Sequence, residues 1–323
     1  MPTIHDVAAR AAVSTATVSR ALNGKSSVDP VLVARVVAAA KELDYRPHGV
    51  ARNLRRKATT VWALIISDIE NPFFTAVARG VEDVAQAAGH SVVLCNSDED
   101  LAKEARYLRV AVAERVAGVV LSPTAAATDI APLAEHGIPV VAIDRPLPGI
   151  DAVLVGSRTG AQVATAHLFE AGYRRVACLT GPRRVSTAED RVAGYRDALR
   201  AAGRPATGVV RHADFKVDGG RRAAESLLAG ARRPDALFVA NSLMAIGALQ
   251  AMATRGLRAG RDVGVVAFDD APWTQIVDPP VSVVAQPAHA IGEAAGRLLA
   301  DRATAPRRIT LDAELIIRGS SKP

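Results

Sequence analysis

Apolar residues at the start of the chain recur with the spacing of short amphipathic helices. A first helix is marked by Ile4, Val7, Ala8 and Ala11. Ser14 is a good N-cap for a second helix, Thr15 to Leu22, and Asn23 and Gly24 are typical of its C-terminal end. The pattern therefore predicts two helices joined by a tight turn.

A third helix is predicted to begin at Asp29 and Pro30, because aspartate caps helices and proline favours their first position. Its apolar stripe consists of Val33, Val36, Val37, Ala40 and Leu43. It should end before Arg46, since a residue that precedes proline is disfavoured in the α region. Three short helices with this turn are typical of a helix-turn-helix unit. We assign residues 1–46 to such a DNA-binding head.

After a basic stretch at 47–58, the pattern changes to apolar strands separated by helical segments. The predicted strands are Val61–Ile66, Ser91–Asn96, Gly118–Leu121, Val140–Ile143, Val176–Thr180, Gly208–Arg211, Ala236–Ala240 and Val263–Phe268. Continuously apolar strands spaced by helices indicate parallel sheets covered on both faces. Eight strands exceed one comfortable sheet, so residues 59–323 are predicted to form two α/β lobes with a ligand cleft between them.

The positive charge of the chain is concentrated at its start. Residues 1–60 hold ten Lys and Arg against four Asp and Glu, so 10 − 4 = +6, while the other 263 residues hold 30 against 29, or +1. A basic end on a nearly neutral body is an electrostatic signature of polyanion binding. With 49% hydrophobic and 23% charged residues, the chain is not of the disordered, collagen or coiled-coil class.

Other features favour a cytoplasmic protein that uses no metal or cofactor. The N-terminus carries charges where a signal peptide needs an apolar core. The longest uncharged run, Ala236 to Thr254, splits into a strand and a helix, so no membrane partner is expected. Cys95 and Cys178 lie in apolar strand-like runs, as buried reduced thiols do. The seven histidines lack the spacing of metal ligands.

Three alternative classes are less favoured by the sequence. An enzyme is not expected, because Gly24, Lys25 and Ser26 only resemble a phosphate-binding loop, whose glycine position here is Ser19 and whose preceding strand is absent. A solute-binding protein of transport would carry a signal peptide in place of the basic head. A nucleoid-type DNA binder would not need a body of about 265 residues.

One face of the second helix has the chemistry of base recognition. Thr15, Ala16, Ser19, Arg20 and Asn23 fall within an arc of about 140°, opposite the apolar residues of the same helix. Arginine makes bidentate contacts to guanine, and small methyl-bearing side chains suit the thymine methyl group. The alternative is an ordinary solvated helix face, and the local charge favours DNA.

Polar residues at strand ends define a second candidate site. Asp144, Asn241 and Asp269 each follow a predicted strand, where a cleft between lobes would contain them. Arg191 is expected to open a helix and to bind hydroxyls or a carboxylate. Flat apolar walls could come from Phe73, Phe74 and Trp273. Acidic, amide and guanidinium groups beside aromatic rings are typical of a sugar site.

The order of several motifs resembles the lac repressor and galactose repressor family of bacterial transcription regulators. These motifs are TIHDVAARAAVSTATVSRALNG, YRPHGVARNLRR, NPFF, AID, EDRVAGY, GVVAFDD and LIIRGSS. The resemblance covers essentially the whole chain. It implies an all-α helix-turn-helix head, a hinge at 47–58 and a two-lobed body like that of periplasmic binding proteins, with two parallel sheets. It also implies a homodimer on a pseudo-palindromic double-stranded operator.

For DNA binding, the resemblance implies that Thr15, Ala16 and Arg20 read bases in the major groove. It makes 47–58 a hinge helix, in which Leu54 is the wedge inserted between base pairs at the operator centre. Nearby cations offset phosphate charge, as expected for a protein that kinks DNA, and they are Arg52, Arg55, Arg56 and Lys57.

For the effector, the resemblance implies contacts from Arg191, Asn241 and Asp269 and an aromatic platform of Phe73 and Phe74. Weaker correspondences are Asp144, Trp273 and Gln286. The family usually has aspartate where this chain has Ser242, which questions a cap or supporting contact there. A sugar or sugar derivative is expected, and a nucleobase stacked on the two phenylalanines is the alternative. Whether the effector releases or recruits the protein is not fixed by the sequence.

Overall fold

A computed structural model describes residues 2–22, 28–45, 59–230, 232–301 and 305–322. The chain forms two compact units, Met1–Thr59 and Thr60–Pro323. Asn23 and Gly24, predicted at the C-terminal end of the second helix, and the predicted hinge residues Arg52, Leu54 and Arg55 lie outside the described residues. Within the described ranges, no helix is long and apolar enough to cross a membrane.

The described part of the head consists of three helices, α1 (Ile4–Arg10), α2 (Thr15–Leu22) and α3 (Pro30–Glu42). Each begins at a side-chain cap. Thr3 and Asp6 form a capping box on α1, the Ser14 hydroxyl accepts the Thr17 N–H at 3.1 Å, and Asp29 accepts the Val31 N–H at 2.7 Å. The predicted bounds of α2 and the predicted cap of α3 are confirmed.

The head has a small core of its own. Val7, Val18 and Val36 are fully buried, one from each helix. Ala12, in the turn between α1 and α2, has a left-handed φ of 50°, which allows the chain to reverse within four residues. An exposed ion pair between Arg10 and Glu42 joins α1 to α3. These contacts orient α2, whose outer face is the predicted DNA-reading surface.

The body contains two six-stranded sheets. Their strands are β1 (Val61–Ile66), β2 (Ser91–Asn96), β3 (Gly118–Leu121), β4 (Val140–Ile143), β5 (Asp151–Val155), β6 (Val176–Thr180), β7 (Val209–His212), β8 (Ala236–Val239), β9 (Gly264–Phe268), β10 (Ser282–Ala285), β11 (Arg308–Leu311) and β12 (Glu314–Ile316). The N-lobe sheet has the order β11-β5-β4-β3-β1-β2 and is parallel throughout. The C-lobe sheet has the order β12-β10-β9-β8-β6-β7, and only β12 is antiparallel.

Helices cover the sheets of both lobes. Those of the N-lobe are α4 (Pro72–Ala87), α5 (Leu101–Ala113), α6 (Ala131–Glu135) and α12 (Ala288–Asp301), and those of the C-lobe are α7 (Ser157–Glu170), α8 (Ser186–Ala201), α9 (Val217–Leu228), α10 (Ser242–Thr254) and α11 (Trp273–Ile276). The lobes are interleaved in sequence. The chain passes between them three times, after β5, after β10 and after β11.

Glycines allow the two long N-lobe helices to pack backbone against backbone. A Cβ atom on Gly80 of α4 would lie 2.1 Å from the carbonyl oxygen of His289, and one on Gly292 of α12 would lie 2.1 Å from that of Val77. Helix α12 belongs to the last quarter of the sequence, so the N-lobe is completed by residues far from its first strand.

All eight predicted strands are present, three of them with ends shifted by one residue: β7, β8 and β9. The run from Ala236 to Thr254 forms β8 and α10, as predicted. Four strands were not predicted, namely β5, β10, β11 and β12. They have three to five residues, and β11 alternates between exposed and half-buried positions at the edge of its sheet. Short or alternating strands lack the continuous apolar run on which the prediction depended.

Candidate functional site

The cleft between the two lobes contains a cavity that is lined by residues of both lobes. Residues that follow parallel strands meet there, as expected for a doubly wound fold. Asp68 follows β1 and Asp144 follows β4, while Asn241 and Asp269 follow β8 and β9. The lining consists of Asp68, Asn71, Phe73, Phe74, Glu99, Asp144, Arg145, Thr187, Arg191, Asp214, Phe215, Lys216, Asn241, Asp269 and Gln286.

Seven of the eight predicted effector-binding residues line this cavity: Phe73, Phe74, Asp144, Arg191, Asn241, Asp269 and Gln286. Trp273 does not. It packs against the apolar core on one side of the C-lobe sheet, and its indole N–H is buried without a hydrogen-bond partner. The structure thus brings the others together and separates Trp273 from them.

Arg191 is the buried cation of the C-lobe wall. It is the sixth residue of α8, so it does not open the helix as predicted. One of its Nη atoms donates to the Ala240 carbonyl, and the guanidinium lies 3.9 Å from the centre of the Phe268 ring. Its Nε–H is buried without a partner. Burial lowers the pKa of Arg191, against the opposing attraction of nearby carboxylates.

Asp269 is the buried acceptor beside it. Its φ of 75° turns the chain sharply after β9. The Gln286 amide donates to its carboxylate at 2.5 Å, and the Ser242 backbone N–H and the Asn71 side chain are further partners. Burial raises the pKa of Asp269, while Arg191 acts in the opposite direction. The amide oxygen of Gln286 is itself buried and unpartnered.

The N-lobe wall carries a buried ion cluster. Arg145 donates to both carboxylate oxygens of Glu99, at 2.7 and 2.5 Å, and also to the Pro123 carbonyl at 3.2 Å. Its Nε lies 3.4 Å from Asp144, whose φ is 64°. Burial raises the pKa of Asp144, and the charge of Arg145 opposes this shift. The N-lobe wall therefore carries one buried arginine paired with two carboxylates, those of Glu99 and Asp144.

Three phenylalanine rings add flat apolar surface. Phe73 and Phe74 occupy the first turn of α4, where the Asn71 side chain accepts the Phe73 N–H at 3.0 Å. Their rings are 5.0 Å apart at 72°, an edge-to-face pair. Phe215, on the C-lobe side, was not predicted, and its ring fills the space that a Cβ on Gly181 would occupy.

Asn241 has a positioning role. Its side-chain oxygen caps α10 by accepting the Met244 N–H at 2.9 Å, and its amide donates to the Phe215 carbonyl at 2.8 Å. The presence of Ser242 in place of the family's usual aspartate left the cap of α10 in question, and Asn241 makes this cap. The Ser242 hydroxyl is fully buried and has no partner.

Sequence reasoning missed eight lining residues: Asp68, Asn71, Glu99, Arg145, Thr187, Asp214, Phe215 and Lys216. Most lie one to five residues beyond a strand end, so wider use of the strand-end argument would have found them. Thr187 lies in the first turn of α8, and no local signal marks it.

In the head, the predicted reading face is presented to solvent. Ala16 and Arg20 are exposed and Thr15 and Ser19 are half-buried, whereas the opposite face of α2 is buried in the head core. The positions agree with the predicted orientation of α2. The roles of these residues, and of those lining the cleft, stay predictions.

A helical head joined to a two-lobed body with a ligand cleft defines a class of ligand-responsive DNA-binding regulators. Two family models match the chain, "Bacterial regulatory proteins, lacI family" at residues 3–48 and "Periplasmic binding protein-like domain" at residues 165–321. The protein belongs to the lacI family.

Its relatives agree with this assignment. The chain is 39% identical over 303 residues to the ribose operon repressor of Halalkalibacterium halodurans, covering 93% of this chain and 89% of that protein. Among solved structures, it resembles the complex of the transcriptional regulator CelR with cellobiose (33% identity, TM-score 0.75, 99% of this chain and 100% of that one). It also resembles the Lac repressor dimer bound to operator and the anti-inducer ONPF (27% identity, TM-score 0.86, 99% of each chain). These relatives are transcription regulators, not enzymes.

Proposed function

We propose that the protein is a cytoplasmic, homodimeric repressor whose affinity for a pseudo-palindromic operator is controlled by a neutral monosaccharide bound in the cleft. D-ribose is the first compound to test, because the Halalkalibacterium halodurans relative is a ribose operon repressor. The head at 1–46 would read the operator, the segment 47–58 would act as the hinge, and the body at 59–323 would dimerise and bind the effector.

The charge balance of the cavity carries the proposal. Its lining holds five carboxylates against three cations, and two of these cations are paired with carboxylates: Arg145 with Glu99 and Lys216 with Asp68. A phosphate group would add negative charge to a wall that is already acidic. Hydroxyl groups instead suit carboxylate acceptors and the unpaired Nε–H of Arg191.

The aromatic rings of the cavity support a sugar ligand. Phe73, Phe74 and Phe215 can cover the apolar face of a sugar ring. The same three rings also suit a planar base, which keeps a nucleobase as the second candidate.

The test begins with selection of bound sequences from a random duplex library, using purified protein at moderate salt. The selected operator is then titrated with protein in the presence of D-ribose, ribose 5-phosphate, cellobiose or hypoxanthine. We expect a two-fold pseudo-palindrome whose binding changes with ribose alone. A response to hypoxanthine alone would favour the nucleobase, and one to cellobiose alone would favour a disaccharide. A response to ribose 5-phosphate would overturn the charge argument.

Two variants separate the two halves of the function. Arg20→Ala should weaken operator binding by about 1–3 kcal/mol and relax specificity at one base in each half-site. Asp269→Ala should keep operator binding and lose the sugar response. If Arg20→Ala weakened binding to random DNA as much as binding to the operator, this result would show that the Arg20 side chain contacts only phosphate.

A further inference from the structure

One ion pair joins the two lobes directly across the cleft. Lys216 belongs to the C-lobe, in the residue before α9, and its Nζ lies 2.8 Å from a carboxylate oxygen of Asp68 in the N-lobe. It is also 4.0 Å from Asp98, which follows β2 in the same lobe. Asp68 is nearly buried and Lys216 is one-third exposed. Asp68 and Lys216 also line the cavity of the proposed sugar site, whereas Asp98 does not.

The turn that carries Lys216 is rigid. The Lys216 N–H donates to the Asp214 carboxylate at 3.0 Å, and the carbonyl of Phe215 accepts from the Asn241 amide at 2.8 Å. Phe215 has a left-handed φ of 63°, and its ring is packed against Gly181. Because the turn is held to the C-lobe at these points, the position of the ammonium group follows the position of the lobe.

The acceptor side is equally fixed. The Glu70 N–H donates to Asp68 at 3.0 Å, and the Asn96 amide donates to Asp98 at 2.8 Å. Lys103, on α5 of the same lobe, lies 2.5 Å from Asp98. Both acidic groups are therefore placed by the N-lobe alone, and an opening of the cleft would withdraw them from Lys216 together.

We propose that Lys216 and Asp68 form an electrostatic latch, supported by Asp98, that stabilises the closed cleft with or without effector. The latch sets the effector concentration at which the protein responds, because an effector that binds the closed form gains affinity from any interaction that favours closure. The inference rests on the proposed sugar response.

A neutral sugar offers a sharp test of this latch. Its own contacts carry no net charge, so its affinity should not depend strongly on salt unless closure forms an ion pair. Salt screens a partly exposed pair, and screening should favour the open cleft. We therefore expect ribose to bind more weakly to the wild-type protein as the NaCl concentration rises.

The experiment is calorimetric titration of the full-length protein with D-ribose at low and high NaCl. Lys216→Met keeps an unbranched side chain, one atom shorter, and removes its charge, and we expect about 3- to 10-fold weaker binding and a flattened salt dependence. Lys103→Met is the matched control, because Lys103 also pairs with Asp98 but belongs to the same lobe, so its removal breaks no contact across the cleft. Its affinity should stay within about twofold of wild type.

Small-angle scattering from the effector-free proteins gives a second measurement that does not depend on ribose. Lys216→Met should have a larger radius of gyration than Lys103→Met, and the charge exchange of Lys216→Asp with Asp68→Lys should restore closure. Weaker ribose binding with an unchanged effector-free shape and an unchanged salt dependence would make Lys216 a direct ligand contact and overturn the latch. Wild-type affinity in Lys216→Met would also overturn it. If no variant binds sugar, the proposed function fails, and the scattering comparison still decides the latch.

Discussion

The two lobes each bury one arginine at the cleft, but they compensate its charge differently. Arg145 in the N-lobe is 5% exposed, and it pairs with Glu99 and Asp144. Arg191 in the C-lobe is 4% exposed, yet it has no ion-pair partner among the described residues and only one hydrogen bond, to a carbonyl. The charge of Arg145 is thus paired within its own lobe and that of Arg191 is not, although the Nε–H of each arginine lacks a hydrogen bond.

This difference assigns separate tasks to the lobes. A buried charge without a partner is costly, so a fold that keeps one needs a compensating function. The C-lobe also holds the unpartnered oxygen of Gln286. We infer that the C-lobe grips the effector and that the N-lobe, with its paired arginine and its two phenylalanines, acts as a preformed cover.

The largest expected effect is on stability. Arg145→Met would leave Glu99 and Asp144 buried without their partner and should lower the free energy of unfolding by about 3 kcal/mol. Urea unfolding followed by circular dichroism measures this loss from the unfolding transition of the body. Arg191→Met is the control, and we expect little or no loss there. Equal losses in both variants would remove the contrast between the lobes.

The next effect is on effector binding. Arg191→Met should weaken ribose binding about 100-fold, since hydrogen bonds from a charged donor contribute about 1.5–3 kcal/mol and this donor is otherwise unused. Calorimetry gives the dissociation constant. Arg200→Met, an exposed position on the same helix, should bind like wild type. If Arg191→Met bound ribose normally, Arg191 would stabilise the fold and would not bind the effector.

Affinity should also depend on pH, because burial raises the pKa of Asp269. The ionised carboxylate is the acceptor for sugar hydroxyls, so affinity should be full above the raised pKa and fall, by at most about tenfold per pH unit, below it. The raised pKa also means that the ionised Asp269 carboxylate destabilises the effector-free fold. The free energy of unfolding of the effector-free protein should therefore increase as the pH falls through the raised pKa of Asp269. Asp269→Asn should abolish both trends, and any trend that persists in it arises elsewhere.

The smallest effect tests whether every unpaired polar atom in the C-lobe serves the ligand. The Ser242 hydroxyl is buried and unpartnered but does not line the cavity. We expect Ser242→Ala to stabilise the protein by about 1 kcal/mol and to leave ribose affinity unchanged. A loss of affinity would place this hydroxyl in the binding site.

The sequence was informative where local patterns decide structure. The bounds of α2 and the start of α3 follow from caps and prolines, and the inner strands follow from continuous apolar runs. Strand ends placed Asp144, Asn241 and Asp269 on one cavity. The short strands β5, β10, β11 and β12 were missed because they lack a long continuous apolar run.

Contacts between distant segments were beyond sequence reasoning. Arg145 pairs with Glu99, which is 46 positions away in the sequence, and Lys216 pairs with Asp68, which is 148 positions away. Trp273 shows the converse. Its aromatic ring and the family resemblance suggested a cleft wall, but α11 holds it against the apolar core.

The interleaved lobes have a consequence for synthesis of the protein. The head is complete once its three helices have been made, but the N-lobe lacks α12 and β11 until residue 311 has been added. During elongation, which takes about 0.05–0.2 s per residue, the face of α4 that packs on Gly292 would stay uncovered while the C-lobe is translated. The first lobe of the nascent chain therefore stays unfinished until synthesis is nearly complete, and its uncovered apolar surface is a binding site for chaperones during that time.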